Sequence, residues 1–269
     1  METAKVAMSV LIIFFSMELH GSVIKYNGQQ LKKKQALALK YKGLKPKRFS
    51  QWVPGVKTRI ATDEKIIALT LDACGGKKGN GYDLELINFL REQKIPATLF
   101  LSSVWIDANR ELAAELARDP LFEIENHGYR HKPASVNGAR IYGMRGTKSP
   151  GDLFDEIEVN AVKIGALTGH RPVFFRPGTA YFDDVAVKIV YDLAHIPMNF
   201  SVMSGDAAGF SSRRIERRIL SRARKGSVII AHMNHPGKRL YPAMKKSLLK
   251  LQSRGYRFVK LSESKDKLR

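Results

Sequence analysis

The sequence predicts an α/β protein, a parallel sheet of strands alternating with helices, open or closed into a barrel. Three observations predict it. Apolar runs of strand length recur from residue 63 onward, most of them followed by apolar residues at helical spacing. Ionisable residues stand at the ends of successive runs: Asp72, His127, Arg176, Asp206 and His232. The first run, Ile66-Ile67-Ala68-Leu69-Thr70-Leu71-Asp72-Ala73-Cys74-Gly75-Gly76, ends in an acid and breaks on paired glycines. A buried parallel strand has this pattern where its carboxyl end opens into a site.

A chain of 269 residues has room for one large domain or two small ones with a sizeable core. Lys and Arg number 46 against 25 Asp and Glu, a formal charge of +21. Such a field favours anionic partners. No zinc-finger spacing, aromatic-rich basic sheet sequence or basic zipper accompanies it, so nucleic acid is not expected. Cys74 is the sole cysteine, which rules out an internal disulfide and leaves the compartment to other signals. At the N-terminus, Lys5 precedes an apolar run from Val6 to Met17, of signal-peptide length and short for a membrane span. Residues 1–22 therefore read as an export signal or N-terminal anchor, and the destination as periplasmic, secreted or envelope-associated.

Residues 23–62 contain no acid and carry Lys32-Lys33-Lys34, Lys45, Lys47 and Arg48. They read as a basic lead-in arm with a short helix over Leu31 to Tyr41, which Pro46 and Pro54-Gly55 keep from extending. The arm is either a solvated linker or a tether to an anionic envelope surface. From Asp63 to Arg269 the pattern is that of one domain. Predicted strands are Ala97–Leu101, Phe122–Glu125, Pro172–Phe175, Met198–Val202, Val228–Ala231 and Tyr256–Val259. Predicted helices cover Tyr82–Gln93, Glu111–Arg118, Asp152–Leu167, Asp183–Leu193, Ser212–Arg224 and Pro242–Arg254. The polar side of the Ser212 helix is nearly all arginine. This many βα units fits an irregular barrel.

In such folds the site lies at the carboxyl ends of the strands. Asn126-His127-Gly128-Tyr129-Arg130-His131 sets two imidazoles four residues apart, a spacing that lets both reach one metal. Arg176-Pro177-Gly178 puts a fixed cation before a rigid turn; the cation can hold Asp72 ionised, and the turn's N–H groups can face an oxyanion. His232 is a titratable group at the end of a buried strand, suited to act as general acid with Asp206 orienting it. His235 is a second histidine nearby, assigned to the loop.

Thr70-Leu71-Asp72-Ala73 resembles the Thr-Phe-Asp-Asp signature of the polysaccharide deacetylases, carbohydrate esterases built on the NodB homology domain. His127 with His131, Arg176-Pro177, Asp206 and His232 match the family's further motifs in order, over roughly residues 63–262. The resemblance implies a distorted (β/α) barrel and hydrolysis of an acetyl amide or ester on a carbohydrate or cell-wall polymer. It implies a divalent metal, zinc foremost with cobalt or nickel as alternatives, on His127 and His131. It makes Asp72 the base, with Arg176, Asp206 and His232 as partners. The family's second aspartate, its usual metal ligand, is Ala73 here. Three residues remain open for the missing ligand: Asp72 first, then Glu125, which shares strand parity with His127, then Cys74. A carbohydrate-binding pseudoenzyme, or a hydrolase of another small amide or ester, is the rival reading.

Overall fold

The computed structural model describes residues 16–19, 22–237 and 239–269. Most of the predicted export signal, residues 1–15, 20 and 21, lies outside them. The chain begins with the hairpin β1 (Ser16–Leu19) and β2 (Ser22–Lys25), then α1 (Gly28–Lys40) and β3 (Phe49–Ser50). There follow β4 (Ile66–Ala73), α2 (Leu84–Glu92), β5 (Ala97–Leu101), α3 (Ser103–Ala108), α4 (Arg110–Arg118) and β6 (Phe122–Asn126). A small hairpin, β7 (Arg140–Ile141) and β8 (Met144–Arg145), precedes α5 (Pro150–Thr168), β9 (Phe174–Phe175), β10 (Phe182–Asp183) and α6 (Asp184–Asp192). The last part comprises β11 (Ile196–Pro197), β12 (Val202–Met203), α7 (Ser212–Arg222), β13 (Ser227–His232), α8 (Leu240–Ser253) and β14 (Arg257–Val259).

The main sheet runs β11-β9-β6-β5-β4-β13-β12, and every pairing within it is parallel. Strand β14 joins the N-terminal half of β4, where Phe258 pairs with Ile67. The two edge strands, β11 and β12, are successive in sequence. The segment between them spans the gap: Met198 N–H donates to Phe175 O and Ser201 N–H to Val228 O, both at 3.0 Å. The sheet therefore curls until its edges meet, and the expected distorted (β/α) barrel is what forms. The predicted strand over Met198–Val202 is this seam, with regular pairing only on either side of it.

Alternation along β4 builds two layers, because successive strand side chains point to opposite faces. Ile67, Leu69, Leu71 and Ala73 join the core between sheet and helices, together with Leu86, Leu90 and Leu248. Ile66 and Ala68 face the barrel interior with Phe100, Phe174 and Ile230. Thr70, Asp72 and, beyond the strand, Cys74 continue that inward face. Helix α2 starts where Asp83 accepts from Leu86 N–H at 3.1 Å, a cap that satisfies one free donor. The sequence reading missed α3, which begins at Ser102 through its hydroxyl's bond from Trp105 N–H.

The lead-in is packed, not a free linker. Asn27 and Gln30 form a reciprocal cap for α1. Leu37 and Tyr41 enter a core with Phe154, Ile157 and Ile189. Lys34 pairs with Asp155 at 2.6 Å and Lys40 with Asp192 at 2.5 Å. Farther on, Val53 and Ile60 are buried while Trp52 stays exposed, and β3 pairs with β10. Part of the arm's charge is thus committed to acids of the domain.

Candidate active site

The site is assembled at the carboxyl ends of β4, β6, β9, β12 and β13, around a groove of about 520 Å³ lined by Asp72, Cys74, His127, His131, Asp206 and His232. All the predicted site residues line it except Arg176, which lies beneath, fully buried. The guanidinium is held from every side. Its Nη1 donates to Asp72 Oδ1 at 2.6 Å and to Thr70 Oγ1 at 3.0 Å, Nη2 donates to Asn199 O and Nε to Met198 O. Its plane lies over the Phe100 ring, 4.0 Å from the centroid. Burial lowers its pKa from the ordinary arginine value, against the pull of Asp72. One oxygen of Asp72 is thereby fixed, and the other is 3.6 Å from His127 Nε2.

His127 is oriented by its other nitrogen. Nδ1 lies 2.8 Å from Arg176 O, and since a carbonyl only accepts, Nδ1 carries a hydrogen. Nε2 is the nitrogen turned to the cluster, where burial is outweighed by Asp72 and Cys74 and the ring's pKa is raised. Nε2 is 3.8 Å from Cys74 Sγ. The His131 ring meets His127 edge-on at 4.7 Å. Donor atoms of Cys74, His127 and His131 all lie within 4.8 Å of one another. Two imidazoles and a thiol are a donor set suited to zinc or cobalt, so these residues fit the metal the resemblance implies. Burial works against the Cys74 thiolate, but His131, His127 and His232 outweigh it and hold its pKa well below the usual thiol range.

Asp72, the foremost candidate for the missing ligand, is not one of the three; it is turned to Arg176. Glu125 does face the barrel interior, as its parity predicts, but deeper. It accepts from Phe174 N–H at 2.6 Å, and burial raises its pKa well above the carboxylate range. It serves the β9 backbone rather than the cluster.

On the adjoining strand, where His232 pairs with Asp72, Asp206 Oδ2 accepts from both the backbone N–H and Nδ1 of His232, at 3.0 and 3.1 Å. The Ser204 hydroxyl donates to Oδ1. Burial disfavours charge on His232, but the Asp206 carboxylate prevails and its pKa is raised well above the usual histidine value. Asp206 is correspondingly lowered, its burial outweighed by His232. In the turn after Arg176, Ala180 N–H is already bonded to Pro177 O. That donor is unavailable for an oxyanion. Gly178 there admits a close approach, since a Cβ would stand 2.0 Å from His131 O.

Three residues that sequence reasoning passed over position the His127–His131 loop. Asn126 Oδ1 accepts from Gly128 N–H and from Asn160, which also donates to Leu101 O. Glu156 accepts from Arg130 and Lys132 N–H, on either side of His131, whose φ is +57°. The signal was there for Asn160 and Glu156: both are polar on the buried side of α5.

The parallel barrel thus carries at its strand ends an arginine-clasped acid, a histidine–aspartate pair and a cluster of metal-ligand type. The family model for polysaccharide deacetylases matches residues 59–195, and the chain belongs to that family. Among curated relatives, the uncharacterized protein YlxY of Bacillus subtilis is 22% identical over 207 residues, 77% of this chain. The chain spans 59% of that relative's length. A peptidoglycan-N-acetylglucosamine deacetylase of Bacillus cereus is 25% identical over 225 residues, 82% of this chain and 95% of the relative. In fold, a CE4 family pseudoenzyme from Bacillus anthracis aligns with a TM-score of 0.66 at 22% identity, over 79% of this chain and 69% of its own.

Proposed function

We propose that the chain is a metal-dependent deacetylase that removes acetyl groups from an acetylated polysaccharide of cell-wall type. One juxtaposition carries the reading: an Asp72 clasped by Arg176 stands beside three convergent ligands and next to a His232–Asp206 pair on the adjoining strand. A groove that only binds sugar has no need of an oriented acid and base. Cys74, His127 and His131 would hold the metal, with zinc favoured by a thiolate beside two imidazoles. Once bound, a divalent ion polarises the acetyl carbonyl and makes water a stronger acid.

The chain's own groups supply the proton transfers. Asp72, kept from rotating by Arg176, accepts the proton of the attacking water through the oxygen facing His127. His232 spends Nδ1–H on Asp206, and its Nε2–H, on the side that Cys74 approaches, would protonate the departing amine or alcohol. We further propose export, on the apolar run after Lys5, so that the enzyme meets an envelope polymer.

The test is acetate release from N-acetylglucosamine oligomers and acetylated peptidoglycan fragments by zinc-loaded protein. Chelation should abolish it and zinc should restore it. Full metal occupancy with no acetate from any substrate would move the chain to the binding-only reading, which the loss of the family's ligand at Ala73 favours.

A further inference from the structure

Beside the catalytic groove lies a second recess of about 490 Å³ that shares Asp206, Ala207 and His235 with it. Its far wall is built from Phe210, Ile215 and Arg239. There the recess meets α7, whose sequence Ser-Arg-Arg-Ile-Glu-Arg-Arg-Ile-Leu-Ser-Arg buries Ile215 and Ile219 and turns its arginines outward. The Arg214 guanidinium covers the Phe210 ring at 3.5 Å, and Arg218 Nε donates to Met203 O at 2.7 Å. Met203 lines the catalytic groove, so the helix is fastened to the groove's own wall.

The arrangement of charge on α7 works against the helix. Arg214, Arg218 and Arg222 follow one another at i,i+4, as do Arg213 and Arg217, and like charges at that spacing are destabilising. Arg213 and Arg214 also stand in the first turn, where the macrodipole favours acids, and no acid is present there. Crowding is felt at Arg218, whose pKa is lowered first by burial and then by Arg222 and Arg214. Among the described residues, no carboxylate lies within 4.0 Å of the guanidinium nitrogens of Arg213, Arg214, Arg217 or Arg222. Elsewhere in this basic chain, Lys34, Lys40, Arg91 and Lys163 each have an acid. Glu216 is the one carboxylate on α7, against five arginines, and it forms no ion pair within 4.0 Å with Arg213, Arg214, Arg217 or Arg222.

We infer that the recess and the arginine ladder of α7 form a subsite for carboxylate-bearing units of the glycan, next to the unit whose acetyl group enters the catalytic groove. The inference rests on the glycan deacetylase reading for its substrate and adds the substrate's charge. A glycan strand rather than a lipid surface is indicated by continuity: the recess leads from Asp206 to Arg239, to Ile215 of α7 and to Phe210, whose ring Arg214 covers. An extended chain passing Asp206 would run past Arg239 and Phe210 to α7, an 11-residue helix about 16 Å long. At the other side of the groove the wall is apolar, with Tyr142 and Met144 on the small hairpin and Tyr142 edge-on to Tyr181. The groove therefore has a direction, with neutral rings toward the hairpin and acidic units toward α7.

The test uses the full chain carrying Asp72→Asn, so that binding is read without turnover. Two N-acetylated hexasaccharides are compared by calorimetry, the neutral chitin hexamer and the hyaluronan hexamer with a glucuronate in every second unit. The acidic glycan is expected to bind about tenfold more tightly, the size of effect that a few exposed ion pairs provide. That preference should fall toward parity with added salt, and in the combined variant Arg213→Gln, Arg217→Gln and Arg222→Gln. Equal affinity for the two glycans, or a preference that ignores both salt and the three substitutions, overturns the inference. So does arginine-dependent binding to anionic phospholipid vesicles with no preference between glycans, which would make α7 a membrane face. Acetate release by the chain with Asp72 intact is scored separately. Its failure with the preference retained removes the deacetylase reading and leaves the acidic subsite standing.

Discussion

Cys74 Sγ lies 3.8 Å from Nε2 of His127, on the nitrogen that Arg176 O leaves free. In the proposed function, a thiolate in that position would take over the task that an acid at 73 performs in the family. Cys74→Ser should therefore weaken zinc binding by more than the roughly 10–100-fold typical of losing an outer-shell partner. In cobalt-loaded protein the thiolate-to-cobalt charge-transfer band should vanish with it. Glu125→Gln, by contrast, should leave metal affinity unchanged. Full zinc affinity in Cys74→Ser would return the third position to Asp72.

The Asp72–Arg176 pair makes a stability prediction with an asymmetry. Arg176→Met strands a buried carboxylate, and breaking a buried pair from one side costs about 3–5 kcal/mol. Asp72→Asn should cost less, because Arg176 retains Thr70 Oγ1, Met198 O and Asn199 O as acceptors. Turnover should nevertheless drop about 10²–10⁴-fold in Asp72→Asn. Urea midpoints and acetate release on both variants check the two halves. An Asp72→Asn protein that unfolds more easily than Arg176→Met would contradict the ordering.

His232 is held charged by Asp206, so activity that needs its proton should persist above the ordinary histidine pKa of about 6.5 and fall at higher pH. Asp206→Asn should shift that alkaline limb to lower pH, since Asp206 is the foremost group opposing burial, ahead of Cys74. Stability follows the same linkage. The raised histidine contributes fully below about 6.5 and loses its share as pH rises through its folded value. The lowered aspartate contributes above about 3.9 and loses its share as pH falls through its own. An alkaline limb unmoved by Asp206→Asn would mean that another group donates the proton.

Glu156 behaves in the opposite sense to Asp206. Burial raises its pKa to about 7, against the bonds it accepts from Lys132 and Arg130 N–H. The folded state therefore binds a proton that the unfolded state has released. Stability should decline as pH rises from about 4.5 to about 7, then level off. Glu156→Gln should flatten that slope and keep the His131 loop in place, because Oε1 alone can accept both N–H groups. Thermal denaturation across this range would show an unchanged slope if Glu156 is not the source.

The barrel was legible because its strands are apolar runs ended by ionisable residues, and Asp72, His127, Arg176, Asp206 and His232 do gather at one end. Less legible was whatever depends on contacts between distant segments. Asn160 and Glu156 sit inside a helical pattern, where a polar residue ordinarily signals the solvent side; here they face the loop they hold. The seam at 198–201 is apolar enough to look like a strand, yet its hydrogen bonds go to two different neighbours. Cys74 was ranked low because glycines follow it. Gly75 and Gly76 do turn the chain, at φ of +81° and +89°, but only after Cys74 has kept the inward parity of β4. The basic arm looked free because its partners, Asp155 and Asp192, are more than a hundred residues away.

Sulfur in place of a carboxylate oxygen exposes the centre to chemistry that an aspartate ligand never meets. Cys74 is the only cysteine of the chain, so an oxidised thiolate finds no second thiol within the molecule to form a reversible disulfide. Peroxide would take it to sulfenic acid and onward to the irreversible sulfinic and sulfonic acids. Each step spoils a soft donor while leaving the barrel intact. Such an enzyme would be silenced by oxidative stress and guarded by its own metal, and its working life under oxidant would depend on keeping that metal bound.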